Sequence, residues 1–289
     1  MSDISAVNTE EPASKRLKKD SFADTKPLLG KVALITGSSE GIGSGVALEL
    51  AMAGADICVN YVGDGDADAE EIAQQIRSFG RRALIVKASV ADREATEAMF
   101  STIEKELGVL DILVTSAMSA KRHSILDTKP EDFKRTMDIG VYGVFNCMQL
   151  AAKQMIAAGK KGSMVHITSP HQSWPAKDAI DYNTAKAAAH HLALSVANEL
   201  MWKGIRVNFV EPGWTITKNE IRLFGIDQLN ENGKKMPFGR LANPADSARA
   251  VLWLCSEEAS FVVGTTIKCD SGMFIEGGQS WNSAPRERV

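Results

Sequence analysis

From Lys31 onward the chain alternates between two patterns: short unbroken apolar runs, and longer stretches whose apolar positions recur every three or four residues. The unbroken runs are Lys31–Thr36, Asp56–Asn60, Leu84–Lys87, Leu110–Thr115, Met164–Thr168, Ile205–Val210 and Thr265–Lys268. They predict strands buried on both faces, because a half-exposed strand would alternate apolar with polar. The longer period predicts helices over Ile42–Ala53, Ala67–Phe79, Arg93–Glu106, Asp132–Ala158, Ile180–Trp202 and around Ala245–Cys255. Gly54 and Gly80 follow two of these helices where a cap residue is needed. Strand and helix in strict alternation imply right-handed βαβ units on one parallel sheet. The predicted class is α/β: a single doubly wound domain, its parallel sheet flanked by helices on both faces.

No Pro/Ser-rich linker or internal repeat divides residues 28–273, so one domain is expected there. Residues 1–27 are polar and are expected to form a disordered tail; 274–289 are a C-terminal extension. The composition, 44% apolar and 24% charged, is that of a globular protein rather than a disordered or membrane-embedded one. A net charge of −3 offers no electrostatic reason to expect nucleic acid or an anionic membrane as partner. No apolar run reaches the ~20 residues of a membrane span, and no secretory signal is recognisable. A cytoplasmic location is expected, with the basic patch Lys15–Lys19 read as a solvated charge run before a nuclear-import signal. The four cysteines lack CxxC spacing and the five histidines lack ligand spacing, so no metal site is expected.

Candidate chemistry stands at two places. The segment Thr36-Gly37-Ser38-Ser39-Glu40-Gly41-Ile42-Gly43 joins the first predicted strand to the first helix. Glycines there allow a tight turn and close backbone approach to a pyrophosphate, which a helix N-terminus favours. Farther on, Tyr182-Asn183-Thr184-Ala185-Lys186 places a phenol and an amine on one helix face. An ammonium beside a tyrosine favours phenolate and brings its proton transfer nearer neutral pH. Ser169 lies thirteen residues upstream, at a strand end, and has a hydroxyl to donate to a substrate oxygen.

The GxxxGxG spacing, the Ser169/Tyr182/Lys186 set, Pro212-Gly213 with Thr217, and Asp270-Ser271-Gly272 together resemble the classical short-chain dehydrogenases/reductases. That resemblance covers about residues 30–273 and implies a Rossmann-type domain with NAD(P)-dependent hydride transfer between a nicotinamide and a ketone or secondary alcohol. It implies Ser169, Tyr182 and Lys186 as catalytic residues. It assigns cofactor binding to Gly37, Ser39, Glu40, Gly41, Ile42, Gly43, Asn60, Tyr61, Ser89, Val90, Ser116 and Ala117. Pro212, Gly213, Thr215 and Thr217, with Tyr182 and Lys186, complete that set. His171, Trp174 and Trp214 are implied at the substrate, a small carbonyl or alcohol compound, and the two tryptophans suggest a bulky apolar one. Residues 214–240 match the family's lid, and a homotetramer is the expected assembly, with Ala151–Ala158 and Ala185–Ala189 offered as close-packing helix faces. Whether NAD or NADP is used stays open. The second strand ends in Asn60, Tyr61 and Val62, giving neither the usual acid nor a base, while Glu40 would repel a 2′-phosphate if it pointed inward.

Three positions depart from the family pattern. Thr115-Ser116-Ala117-Met118 stands where Asn-Asn-Ala-Gly is usual, and Ser89 replaces an acid near the adenine. Gly140 replaces the helix asparagine that anchors a proton-relay water in the family. These departures motivate an alternative from another class: a dinucleotide-binding regulatory or scaffold protein with little turnover.

Overall fold

A computed structural model describes residues 26–275; the predicted tail before residue 26 and the extension after 275, including Lys15–Lys19, lie outside it. Seven parallel strands form one sheet in the order β3-β2-β1-β4-β5-β6-β7. Along the chain they are β1 Val32–Ile35, β2 Asp56–Tyr61, β3 Ala83–Lys87, β4 Ile112–Thr115, β5 Gly162–Ile167, β6 Ile205–Pro212 and β7 Thr266–Cys269. The order reverses between β1 and β4, so the carboxyl ends of these strands open a crevice where ligands bind in such sheets. The helices are α1 Gly41–Met52, α2 Asp66–Ser78, α3 Arg93–Glu106, α4 Pro130–Met137, α5 Gly143–Ala157, α6 Ile180–Leu200, α7 Lys218–Phe224, α8 Ile226–Lys234 and α9 Pro244–Cys255.

Side chains alternate across each strand, and the alternation divides the core into two layers. Ala33, Ile35, Val59, Val165 and Val210 pack against Val46 and Leu50 of α1, Ile76 of α2 and Val251 of α9. Leu34, Leu113, Met164 and Phe209 face the other way, onto Ile103 of α3, Met148 of α5 and Ala189 and Ala193 of α6. Leu28, 1% exposed, belongs to the first layer.

Two differences from the sequence expectation bear on function. The helix predicted over Asp132–Ala158 starts at Pro130 and is interrupted by a π-helical turn, Asp138–Tyr142, centred on Gly140. Such turns insert one residue into the α ladder and recur at functional sites. In addition, the alanine faces expected to drive self-association are divided: Ala151, Ala185 and Ala189 are fully buried, whereas Ala157, Ala158 and Ala187 are exposed. Small side chains there bring α5 and α6 close to the strands. What those helices leave outside is Tyr142, Phe145 and Ile156, with Trp202 just past the end of α6.

Candidate active site

The glycine loop is built so that side chains cannot fill it. Gly37 has φ +63°, and a Cβ on it would lie 2.9 Å from the Ala117 Cα; a Cβ on Gly43 would lie 2.3 Å from the Gly37 carbonyl oxygen. Glu40, at the N-cap of α1, makes no capping hydrogen bond, and the first turn of that helix holds no acidic residue. Its first N–H groups therefore face the crevice without a side-chain partner, an arrangement suited to a pyrophosphate. Thr36 steadies the opposite wall: its Oγ1 accepts from the backbone N–H groups of Ser116 and Ala117 at 3.0 and 3.1 Å.

Asn60 is held by the loop and by the neighbouring strand. Its Oδ1 accepts from the Gly37 N–H at 3.3 Å, and its Nδ2 donates to the Val86 and Ala88 carbonyls. The side chain is 1% exposed and braces the loop at the edge of the cavity. Tyr61 is similarly occupied, donating from its hydroxyl to Asp66 at 2.7 Å. Glu40 pairs with Arg222 of α7 at 3.3 Å, which offsets the repulsion expected toward a 2′-phosphate.

At the other end of the crevice, β5 runs out at Ile167 and delivers Ser169, whose Oγ accepts from the His171 N–H at 3.2 Å. Helix α6 begins over the same point. Its start is fixed by buried Asp181, which accepts from Thr136 of α4 at 2.7 Å and from the Tyr182 N–H. One turn along, the Lys186 Nζ lies 5.7 Å from the Tyr182 ring centroid and donates to the Ile167 carbonyl at 2.7 Å. The His171 ring meets the Tyr182 ring edge-on at 5.8 Å.

Burial is the largest influence on both titrating groups. It pushes the Lys186 ammonium down to about 8. It pushes the Tyr182 phenol up, against a hydrogen bond with Ser169 and the charge of Arg122, which pull it down. The lowering by Lys186 expected from the sequence is not among these influences in the free protein, where desolvation dominates. Tyr182 is therefore a protonated phenol at neutral pH, ready to donate.

Ser169, His171, Tyr182 and Lys186 line one cavity of about 1130 Å³ together with the glycine loop and the lid. Every residue assigned from the sequence to catalysis, cofactor or substrate borders it, including Ser89, Val90, Pro212, Gly213, Thr215, Thr217, Trp174 and Trp214. The two tryptophans differ in use. Trp174 is half exposed at the rim. Trp214 donates to Glu220 at 2.6 Å and packs on Phe224, within a small cluster that includes Leu229, Met236 and Met273.

The family described as enoyl-(acyl carrier protein) reductase matches residues 37–274. Among similar proteins, an L-rhamnose 1-dehydrogenase (NAD(P)(+)) of a Sphingomonas strain is 33% identical over 251 residues, covering 86% of this chain and 98% of its own. A short-chain type dehydrogenase/reductase from Mycobacterium marinum superposes with a TM-score of 0.78 at 33% identity, over 88% of this chain and 99% of its own. This chain belongs to the short-chain dehydrogenases/reductases. A further member, a gluconate 5-dehydrogenase from Burkholderia cenocepacia solved with NADP and tartrate, superposes at 0.78 with 30% identity, over 87% of this chain and 98% of its own. As a short-chain dehydrogenase/reductase, the chain is an NAD(P)-dependent oxidoreductase acting on the CH–OH/C=O couple, and the scaffold alternative gains no support.

Within the family frame, two of the departures answer each other. A Cβ on Gly140 would lie 2.9 Å from the Met118 Sδ and 3.2 Å from the Ala185 Cβ. Met118, standing where the family has glycine, thus fills the space beside position 140, where the family has asparagine. Sequence reasoning missed Met118 as a cavity residue, and also Arg122, Asn219, Gln228 and Asn232. They sit on irregular segments or the lid, where no periodic signal points inward.

Proposed function

We propose that this chain reduces a small polar carbonyl compound, with Tyr182 as proton donor, Ser169 as hydrogen-bond donor to the carbonyl oxygen, and Lys186 as the cation that holds both the nucleotide and the tyrosine in register. The observation that carries this reading is the convergence of Ser169, a protonated Tyr182 and a buried Lys186 on one point of a cavity whose far end is the side-chain-free glycine loop. When bound, NADPH or NADH supplies the hydride from its nicotinamide. Gly37, Ser39, Gly41, Ile42 and Gly43 would hold its pyrophosphate, Ser89 and Val90 its adenine, and Ser116, Ala117, Pro212, Gly213, Thr215 and Thr217 its nicotinamide half. Ser169 polarises the carbonyl as charge builds on its oxygen, and the Tyr182 O–H then delivers the proton. Although burial pushes it down to about 8, Lys186 still carries a positive charge next to that exchange at neutral pH.

Polar groups support the substrate class. Arg122, Asn219, Gln228 and Asn232 share the lid end with His171 and Trp174. Trp214 borders the cavity while tied into the lid's own packing. These groups offer partners to a hydroxyl- or carboxyl-bearing ketone, and the names of the rhamnose and gluconate relatives agree. A cytoplasmic homotetramer accords with the exposed aromatic residues outside α5 and α6 and with the absence, among the described residues, of a helix long and apolar enough to cross a membrane.

The test is oxidation of NADPH and NADH over a panel of sugar-derived, acidic and hydrocarbon ketones. Turnover concentrated in the polar members is expected. Tight nucleotide binding without turnover on any member would contradict the reading.

A further inference from the structure

Among the described residues, the charged side chains that line the cavity divide unevenly. Glu40, at the glycine loop, is paired with Arg222. Lys186 belongs to the catalytic centre, and Glu220 accepts from the Trp214 indole at 2.6 Å. That leaves Arg122, Arg135 and Lys177, exposed cations on the cavity wall. None of the three makes an ion pair or a side-chain hydrogen bond among the described residues. The residues just before the two arginines are used differently. Lys121 pairs with Asp132 at 2.7 Å and Lys134 with Asp138 at 2.6 Å, and neither lysine lines the cavity. In both places the cation away from the cavity is neutralised and the one bordering it is left bare.

Each bare cation stands next to a contact that ties its segment to the start of α6. His123, beside Arg122, bridges to Ala179. Thr136, beside Arg135, donates to Asp181 at 2.7 Å. Asn183 clasps Ala176, beside Lys177, accepting from its N–H at 3.2 Å and donating to its carbonyl at 2.8 Å. Ala179, Asp181 and Asn183 flank Tyr182, so three separate segments bring their cations around the proton donor. Burial is the largest influence on both Tyr182 and His171, and the charge of Arg122 acts on both as well, drawing each down. Nearby acids do not answer these cations. Asp132 and Asp138 are paired with lysines, Asp181 is held by Thr136 and the Tyr182 N–H, and Asp178 is exposed outside the lining.

We infer that the substrate carries an anionic oxygen group, a carboxylate or a phosphate, which Arg122, Arg135 and Lys177 hold while its carbonyl meets Ser169 and Tyr182. The inference rests on the reduction proposed above and narrows its substrate class. A guanidinium presents a planar fork that matches the two oxygens of such a group, and a lysine adds a point charge. Water solvates the three cations at the exposed mouth until the anion arrives, so leaving them unpaired costs the fold little. Clustered charge of one sign also draws an oppositely charged substrate toward the cleft. Once seated, the anion opposes the pull of Arg122 on Tyr182, which favours the protonated phenol that the reduction needs.

The test measures affinity by calorimetry with NAD⁺ or NADP⁺ bound, because an oxidised nucleotide cannot reduce a ketone. The probes are matched pairs: levulinate against its methyl ester, and dihydroxyacetone phosphate against dihydroxyacetone. In the wild type the anionic member of at least one pair should bind about tenfold or more tighter than its neutral partner, and which pair responds tells carboxylate from phosphate. Arg122→Gln, Arg135→Gln and Lys177→Gln should each cut that preference by up to about fivefold, the scale of one exposed charge contact. Added salt should weaken it in the wild type more than in the variants. Lys121→Gln and Lys134→Gln remove the same charge one residue away and should keep the preference. No preference for either anion in the wild type, or equal losses in the Lys121 and Lys134 variants, would overturn the inference. Reduction of the same probes with NADH and NADPH keeps the two claims apart. Anion preference in binding without reduction of any probe would count against the proposed reduction and not against the anion site. Equal kcat/KM for charged and neutral members would count against the anion site alone.

Discussion

Gly140 shows how a substitution that looks like damage in isolation can be half of an exchange. Glycine inside a helix costs roughly 0.5–1 kcal/mol relative to alanine, yet here any Cβ would press on Met118 and on Ala185 of α6. Gly140→Asn should therefore destabilise the protein by about 1–3 kcal/mol, the usual range for overpacking a core. Adding Met118→Ala should recover most of that loss, because the obstructing thioether is gone. Urea unfolding of the two single variants and the double variant measures the coupling; strictly additive effects would show that the two residues do not share the space. The spacing of Tyr182 and Lys186 was legible in the sequence because one helical turn is a local rule. The role of Asn60 was not: its partners, Gly37 and Ala88, stand 23 and 28 residues away and are brought to it only by the sheet.

Among the elements, the strands and most helices were legible because continuous apolar runs and a 3.6 period each have one physical reading. The π-helical turn was not, since a single inserted residue barely disturbs a periodic pattern. The lid was anticipated as a segment without its helices: α7 and α8 are short, and their shared core depends on Leu241 and Met273 from outside them. Two ion pairs hold α7 over the nucleotide end, Lys218 to Asp68 at 2.7 Å and Arg222 to Glu40 at 3.3 Å. Thr217, the N-cap of α7, also lies near Gly41, within 3.5 Å of where its Cβ would be. Exposed pairs contribute modestly, so Lys218→Ala/Arg222→Ala should weaken nucleotide binding by less than about tenfold and speed product release. The wild-type affinity should fall with added salt while that of the variant barely changes. Equal salt dependence in the two proteins would show that the pairs do not clasp the lid over the nucleotide.

For the molecule as a whole, one sheet brings residues from Gly37 to Phe274 around a single cavity, and a doubly wound topology puts that cavity at the reversal of strand order. Outside the sheet's covering helices, Tyr142, Phe145 and Trp202 leave aromatic surface uncovered, Trp202 at 84% exposure. Light scattering at micromolar concentration should give four chains per particle, and a single-chain mass would contradict the proposed assembly. The central claim is that Tyr182 is the proton donor, and Tyr182→Phe tests it most directly. Phenylalanine keeps the ring beside His171 and removes only the hydroxyl. The glycine loop, Lys186 and Thr217 stay in place, so nucleotide affinity should change little. Loss of a positioned general acid should lower single-turnover hydride transfer roughly 10²–10⁴-fold. A variant that keeps more than about a tenth of wild-type transfer, well short of that range, would show that the proton comes from elsewhere.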